Sequence, residues 1–221
     1  MRTRGHSPLA IRSRRRTNII PRLDLLEDRR LMAVAFVETP LPTPAGHRYA
    51  PSLVTHASDG AVWTIGLSFA SGDSPLATYR ATRTDSLGVT TNVSGLPAGE
   101  VPVALFAADN GSVWTVTAGA NGGGHVVGLN ANFYSTGSLT GQTPISAALG
   151  ADGNVWVTAT PTESTGLPTV ERFDPRTGNL VSFGLPSSST SIGPIVAATD
   201  GNLWFIEPNA NKVAAREHVQ G

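Results

Sequence analysis

Residues 200–207 read DGNLWFIE, and near copies begin at Asp59 (DGAVWTIG), Asp109 (DNGSVWTV) and Asp152 (DGNVWVTA). A motif repeated at a nearly fixed interval is architectural before it is catalytic, because each copy is a unit that cannot bury its own apolar face without neighbours. Trp63, Trp114, Trp156 and Trp204 follow one another at 51, 42 and 48 residues. Each copy also places an Asp-Gly or Asn-Gly step just ahead of a short alternating run. Two apolar runs around such a step are a strong hairpin signal, here read as a type I′ turn with positive φ at both central residues.

The third copy shows what one unit contains. Residues 144–160 form a small-residue strand a, the Asp-Gly corner and a strand b headed by Val155 and Trp156. A second hairpin follows, with strand c over 170–173, a turn at DPRTGN and strand d over 180–183. The first copy divides in the same way into 52–55, 62–67, 77–82 and 89–93. No helical apolar stripe persists after residue 33. The expected fold is therefore all-β. Unit lengths of roughly 40 to 50 residues predict a β-propeller of four blades, each a four-stranded antiparallel meander. The four tryptophans, at one repeat position, are expected to pack between blades. The last unit is one strand short after KVAAREH, so residues 34–39 are expected to pair with its c strand and close the ring.

Composition narrows the functions open to the chain. It has 221 residues and no cysteine, which removes disulfides, thiolate metal sites and cysteine nucleophiles. The formal net charge of zero hides an asymmetry. Residues 1–33 hold nine arginines against Asp24, Glu27 and Asp28, net +6, and residues 34–221 are net −6. An acidic body argues against nucleic acid as a partner, since phosphate contacts need a basic face. No run approaches the roughly 18 apolar residues of a membrane-spanning helix. The expected organisation is an arginine-rich leader over 1–33 and a propeller over 34–221.

Two resemblances add to this reading. PRLDLLEDRRLMA, from Pro21, resembles the LEPR-type leader that precedes secreted or surface proteins in some bacteria, with Leu25, Leu26, Glu27, Arg29, Arg30, Leu31 and Ala33 in place. It implies export, to the extracellular space or the cell surface. GPIVAATDGNLWFIEPNANKVAARE resembles the repeat of the streptogramin (virginiamycin B) lyases, matching at Asp200, Gly201, Asn202, Leu203, Trp204, Phe205, Glu207, Asn211 and Lys212. That resemblance implies a propeller that opens a cyclic depsipeptide ester by magnesium-assisted elimination, with a histidine base and acidic metal ligands.

The residues that would carry this chemistry are mostly missing. The family's histidines follow the proline at the start of strand a, where this chain has Ser52, Val103, Ile145 and Ile195. The acidic slot ending strand b reads Gly66, Thr117, Ala159 and Glu207. Glu207 is thus the one candidate metal ligand of that slot, or a partner for Lys212. Of His6, His47, His56, His125 and His218, His47 alone precedes strand a on the correct side and is the candidate catalytic base. His125 follows the NGGG loop, at the head of the HVVGLNA run of the second unit. The glycosylation patterns at Asn92 and Asn110 read as chance in a Ser-rich chain. The sequence accordingly favours an exported, streptogramin-lyase-like propeller acting as a binding or surface module, with a peptide or cell-surface component as ligand and no cofactor. The alternatives are a magnesium-dependent lyase using His47 and Glu207, and a piece of a larger propeller.

Overall fold

In the computed structural model, the described residues are 47–70, 77–93, 96–129, 135–139, 141–163 and 165–216, with 38, 40, 41 and 43. Fifteen strands form four antiparallel meanders. The first sheet is β1 (His47–His56), β2 (Val62–Ala70), β3 (Thr78–Thr84) and β4 (Thr90–Val93). The second is β5 (Glu100–Ala107), β6 (Val113–Gly119), β7 (Gly124–Gly128) and β8 (Ser135–Ser138). The third is β9 (Gln142–Leu149), β10 (Val155–Pro161), β11 (Thr169–Phe173) and β12 (Leu180–Gly184). The fourth has three strands, β13 (Ile195–Ala197), β14 (Leu203–Glu207) and β15 (Lys212–Arg216). The fold class is all-β, and the strands fall where the repeats put them.

The Asp-Gly corners form for a reason other than the expected one. Ala57 and Ala61 close the first hairpin, with the Gly60 N–H donating to the Ala57 carbonyl at 3.0 Å. Positive φ occurs at Gly60 (82°) and not at Asp59. This is a three-residue loop, a type I turn followed by a left-handed glycine, so one glycine per corner suffices. The acid does different work. Asp59 accepts the Ala61 N–H at 2.9 Å, Asn110 that of Ser112 at 2.9 Å, Asp152 that of Asn154 at 3.1 Å and Asp200 that of Asn202 at 3.0 Å. Aspartate or asparagine recurs because its side chain satisfies the backbone donor two residues on.

Successive sheets adjoin through their first strands, β1 beside β5, β5 beside β9 and β9 beside β13. The core then divides into three layers, one per sheet-to-sheet interface. Trp63 and Ile65 pack with Val113, Val127 and Leu129; Val116 and the half-buried Trp114 pack with Val155, Val157 and Phe173; Trp156 and Val170 pack with Ile195, Leu203 and Phe205. Alternation explains this, since successive residues of a strand face opposite sides. In the first three sheets the tryptophan points at the following sheet, and in the last three the residue before it points at the preceding one. The expectation of four packed tryptophans fails once, at Trp204, which is 39% exposed because no described strand lies beyond its sheet.

Residues 39–221 form one unit and contain all fifteen strands. Of residues 1–38 only Glu38 is described, so the leader and its boundary at residue 33 lie outside the described residues. The same holds for ring closure by residues 34–39, and four sheets of three or four strands are what the structure shows.

Candidate functional site

The chemistry gathers at the strand ends opposite the Asp-Gly corners. There each first strand of the four-stranded sheets carries a β-bulge. Pairing skips Ser52 between Pro51 and Leu53, Val103 between Pro102 and Ala104, and Ile145 between Pro144 and Ser146. A bulge re-aims one side chain away from the ladder, so the residue after the proline is a presented position. In the fourth sheet, Val196 pairs with Trp204 as Thr55 pairs with Trp63. Counting back from that pair puts Gly193, and not Ile195, at the equivalent position, which corrects the fourth slot. Gly193 donates its N–H to the Ile206 carbonyl at 2.9 Å, and Ser52 Oγ donates to the corresponding Ile65 carbonyl at 3.2 Å. All four presented residues lack an ionisable side chain.

A polar cluster sits one strand away, in the second sheet. Glu100 opens β5, Thr117 occupies the acidic slot near the end of β6, and His125 on β7 pairs with Thr117. His125 Nδ1 lies 2.7 Å from Glu100 Oε1, and Thr117 Oγ1 donates to Glu100 Oε2. A carboxylate oxygen accepts, so Nδ1 is the donating nitrogen of this pair, and Nε2 is the ring nitrogen that Glu100 leaves unengaged. Glu100 is 13% and His125 30% exposed, so the carboxylate orients the ring from below while the ring faces outward.

Glycine makes this arrangement sterically feasible. A Cβ on Gly124 would collide with the Thr117 carbonyl and lie 3.0 Å from Pro144, so only glycine lets β7 approach β6 and the third sheet this closely. Gly122, at φ 84°, turns the preceding loop against Thr162. The loops of the second and third sheets thereby enclose a cleft of about 600 Å³, lined by Glu100, His125, Gln142, Thr162 and Glu163 among others. That volume is within the usual range for small-molecule sites, about 300 to 1,000 Å³. Gln142 Oε1 is buried there without a hydrogen-bond partner. Glu163 is exposed in that lining, and a carboxylate only accepts, which suits a ligand that brings donors.

The two residues singled out from sequence are not brought together. His47 is half-buried on β1, its Nδ1 3.4 Å from Ser68 Oγ. Glu207 is fully buried at the end of β14, its Oε2 accepting from Ser187 Oγ and its Oε1 buried without a partner. Lys212 is paired with Glu207 in the strand register, but its side chain is exposed and no ion pair joins the two among the described residues. Nor, among the described residues, do three histidine, aspartate or glutamate side chains gather as a metal-holding group. His56 lies at the opposite end, beside the corner.

A second, smaller cavity of about 220 Å³ lies between the third and fourth sheets. Phe183 stacks on Trp156 with ring centroids 5.7 Å apart, and the Arg216 guanidinium lies 4.1 Å from the Trp156 centroid. These contacts account for its walls as packing.

Set beside known proteins, the chain matches no family profile and no curated protein. Solved structures similar to it in fold include a streptogramin B lyase, 17% identical with a TM-score of 0.49, covering 85% of this chain and 60% of that one. Another is a catalytically inactive variant of the virginiamycin B lyase from Staphylococcus aureus with quinupristin, 14% identical, TM-score 0.46, covering 78% of this chain and 71% of that one. A puromycin-hydrolysing peptidase from Mycobacterium tuberculosis is 16% identical, TM-score 0.37, over 80% and 39%. These are likenesses of strand arrangement at low identity. The chain spans three fifths of the length of the first.

Proposed function

We propose that this protein is a binding module of streptogramin-lyase-like β-propeller ancestry, exported to the extracellular space or cell surface, that takes a peptide-like ligand in the cleft at Glu100 and His125. The single observation that carries the reading is the Glu100–His125 pair at the wall of a cleft of about 600 Å³. Peptide N–H groups would meet the exposed Glu163 carboxylate, in the cleft that His125 also lines. Export rests on the LEPR-like stretch at residues 21–33. Nucleic acid has no place in the reading, because the body is acidic.

One observation favours a second reading as an eliminating lyase. A histidine held by a carboxylate is the arrangement of an oriented general base, and it involves His125 in place of His47. The described residues do not supply a magnesium ligand set, so no step is routed through a metal. The full-length chain is titrated with a streptogramin B depsipeptide and a panel of short peptides, with magnesium present, while the His125 ring resonances are followed by NMR. Binding is expected to move those resonances, and His125→Ala to weaken the binding read by calorimetry at least about ten-fold. Chromatography is expected to recover the depsipeptide unopened. A panel that leaves His125 unmoved refutes the binding reading. A ring-opened isomer that forms with the wild type and with His47→Ala, but not with His125→Ala, replaces it with the lyase.

A further inference from the structure

The face that Trp204 presents repeats one already used three times inside the chain. Trp63 and Ile65, Trp114 and Val116, and Trp156 and Thr158 each stand on the side of their sheet that meets the next. The receiving surfaces are Val113 and Thr115, Val155 and Val157, and Leu203 and Phe205, the residues that alternate with the tryptophans on the following b strand. Trp204 and Ile206 are the fourth donor of this series. The sheet register sets Val196 across from Trp204 and Val213 across from Ile206, so four apolar side chains share one face. They are 59%, 39%, 41% and 64% exposed in the order Val196, Trp204, Ile206, Val213.

The series has a fourth receiving surface too. On β2, Val62 and Thr64 hold the positions that Val113 and Thr115 hold on β6, and Val54 of β1 is paired with Thr64 on the same side. Val62 is 39% and Val54 69% exposed, so the first sheet of the same chain does not cover the Trp204 face. Contiguous exposed apolar surface of this kind marks an interaction site.

We propose that the Trp204 face of one copy docks on the Val54–Val62 face of a second copy, head to tail, continuing the sheet-to-sheet interfaces established within each chain. The contact is heterologous, since donor and receiver are different surfaces. Its core is an aromatic anchor seated among β-branched side chains, as in the first two internal layers.

Analytical ultracentrifugation of the full chain is the test. Wild type is expected to associate reversibly with concentration. Trp204→Glu and Val62→Glu, both on exposed faces, are each expected to raise the dissociation constant at least about ten-fold. An equimolar mixture of the two is expected to restore association and stop at the dimer, because one intact donor and one intact receiver remain. Far-ultraviolet circular dichroism checks folding, and Val54→Glu replaces Val62→Glu if the latter does not fold. A wild type that stays monomeric into the high micromolar range overturns the proposal. So does a Trp204→Glu variant that still self-associates, or a mixture that fails to recover, which would mean an isologous or unrelated contact.

Discussion

Replacing the tryptophans one at a time tests the layered core directly, and Trp156→Ala against Trp204→Ala is the sharpest pair. Trp156 has no exposed surface, packs with Val170, Ile195, Leu203 and Phe205, stacks on Phe183 and donates from Nε1 to Asp152 at 3.2 Å. A tryptophan side chain buries roughly 200 Å², and at about 25 cal/mol per Å² this is about 5 kcal/mol of transfer free energy. Part of it is recovered by collapse around the smaller residue, so Trp156→Ala is expected to cost about 3 to 5 kcal/mol. Trp204 sits at the same repeat position but is 39% exposed, with no described sheet over it. Its truncation is expected to cost roughly 1 kcal/mol, in the range of an ordinary point substitution. Urea unfolding followed by circular dichroism, at a dilution where the chain is monomeric, reads both values from shifted midpoints at unchanged slope. Equal losses at the two sites would refute the argument, because they would mean that tryptophan stabilises its own hairpin and not the contact with the next sheet.

The close approach at the candidate site gives a second expectation: Gly124→Ala forces a Cβ onto the Thr117 carbonyl and should destabilise by about 1 to 3 kcal/mol. Gly88→Ala, in open space but at φ 80°, should cost only the left-handed strain of roughly 1 to 2 kcal/mol, and thermal unfolding of the two variants compares them. The third concerns acid. Burial alone would raise the Asp152 pKa, but hydrogen bonds from the Asn154 side chain and backbone and from Trp156, with the nearby Arg216 charge, together hold it below the usual aspartate value. Its contribution to stability is therefore full above the ordinary aspartate range and is lost as pH falls through the depressed folded value. Asp152→Asn should flatten that part of the acid limb, and an acid limb unchanged in the variant would remove Asp152 from the account.

Much of the fold is local enough to read from the chain. The 51, 42 and 48 residue spacing, the Asp-Gly corners and the period-two alternation place the strands and their hairpin pairing, because hairpins join neighbours in sequence. Even the short last sheet follows from counting strands. Turn type does not, since a left-handed glycine preceded by a type I turn and a type I′ turn share the same dipeptide. What tertiary structure alone decided is which distant residues share a place. In the fourth sheet the proline stands 10 residues before its tryptophan (Pro194, Trp204) and not 12 as in the first (Pro51, Trp63), so the strand register puts Gly193, not Ile195, in the slot. Glu100 and His125 are 25 residues apart and on strands that are not neighbours; they meet because β6 lies between them and Thr117 bridges both. That His125 stands across from the Thr117 slot becomes visible only once the β6–β7 register is known. The fate of Trp204 is decided in the same way. Its letters match those of three packed tryptophans, but burial is a property of the surface opposite, which no local stretch of sequence contains.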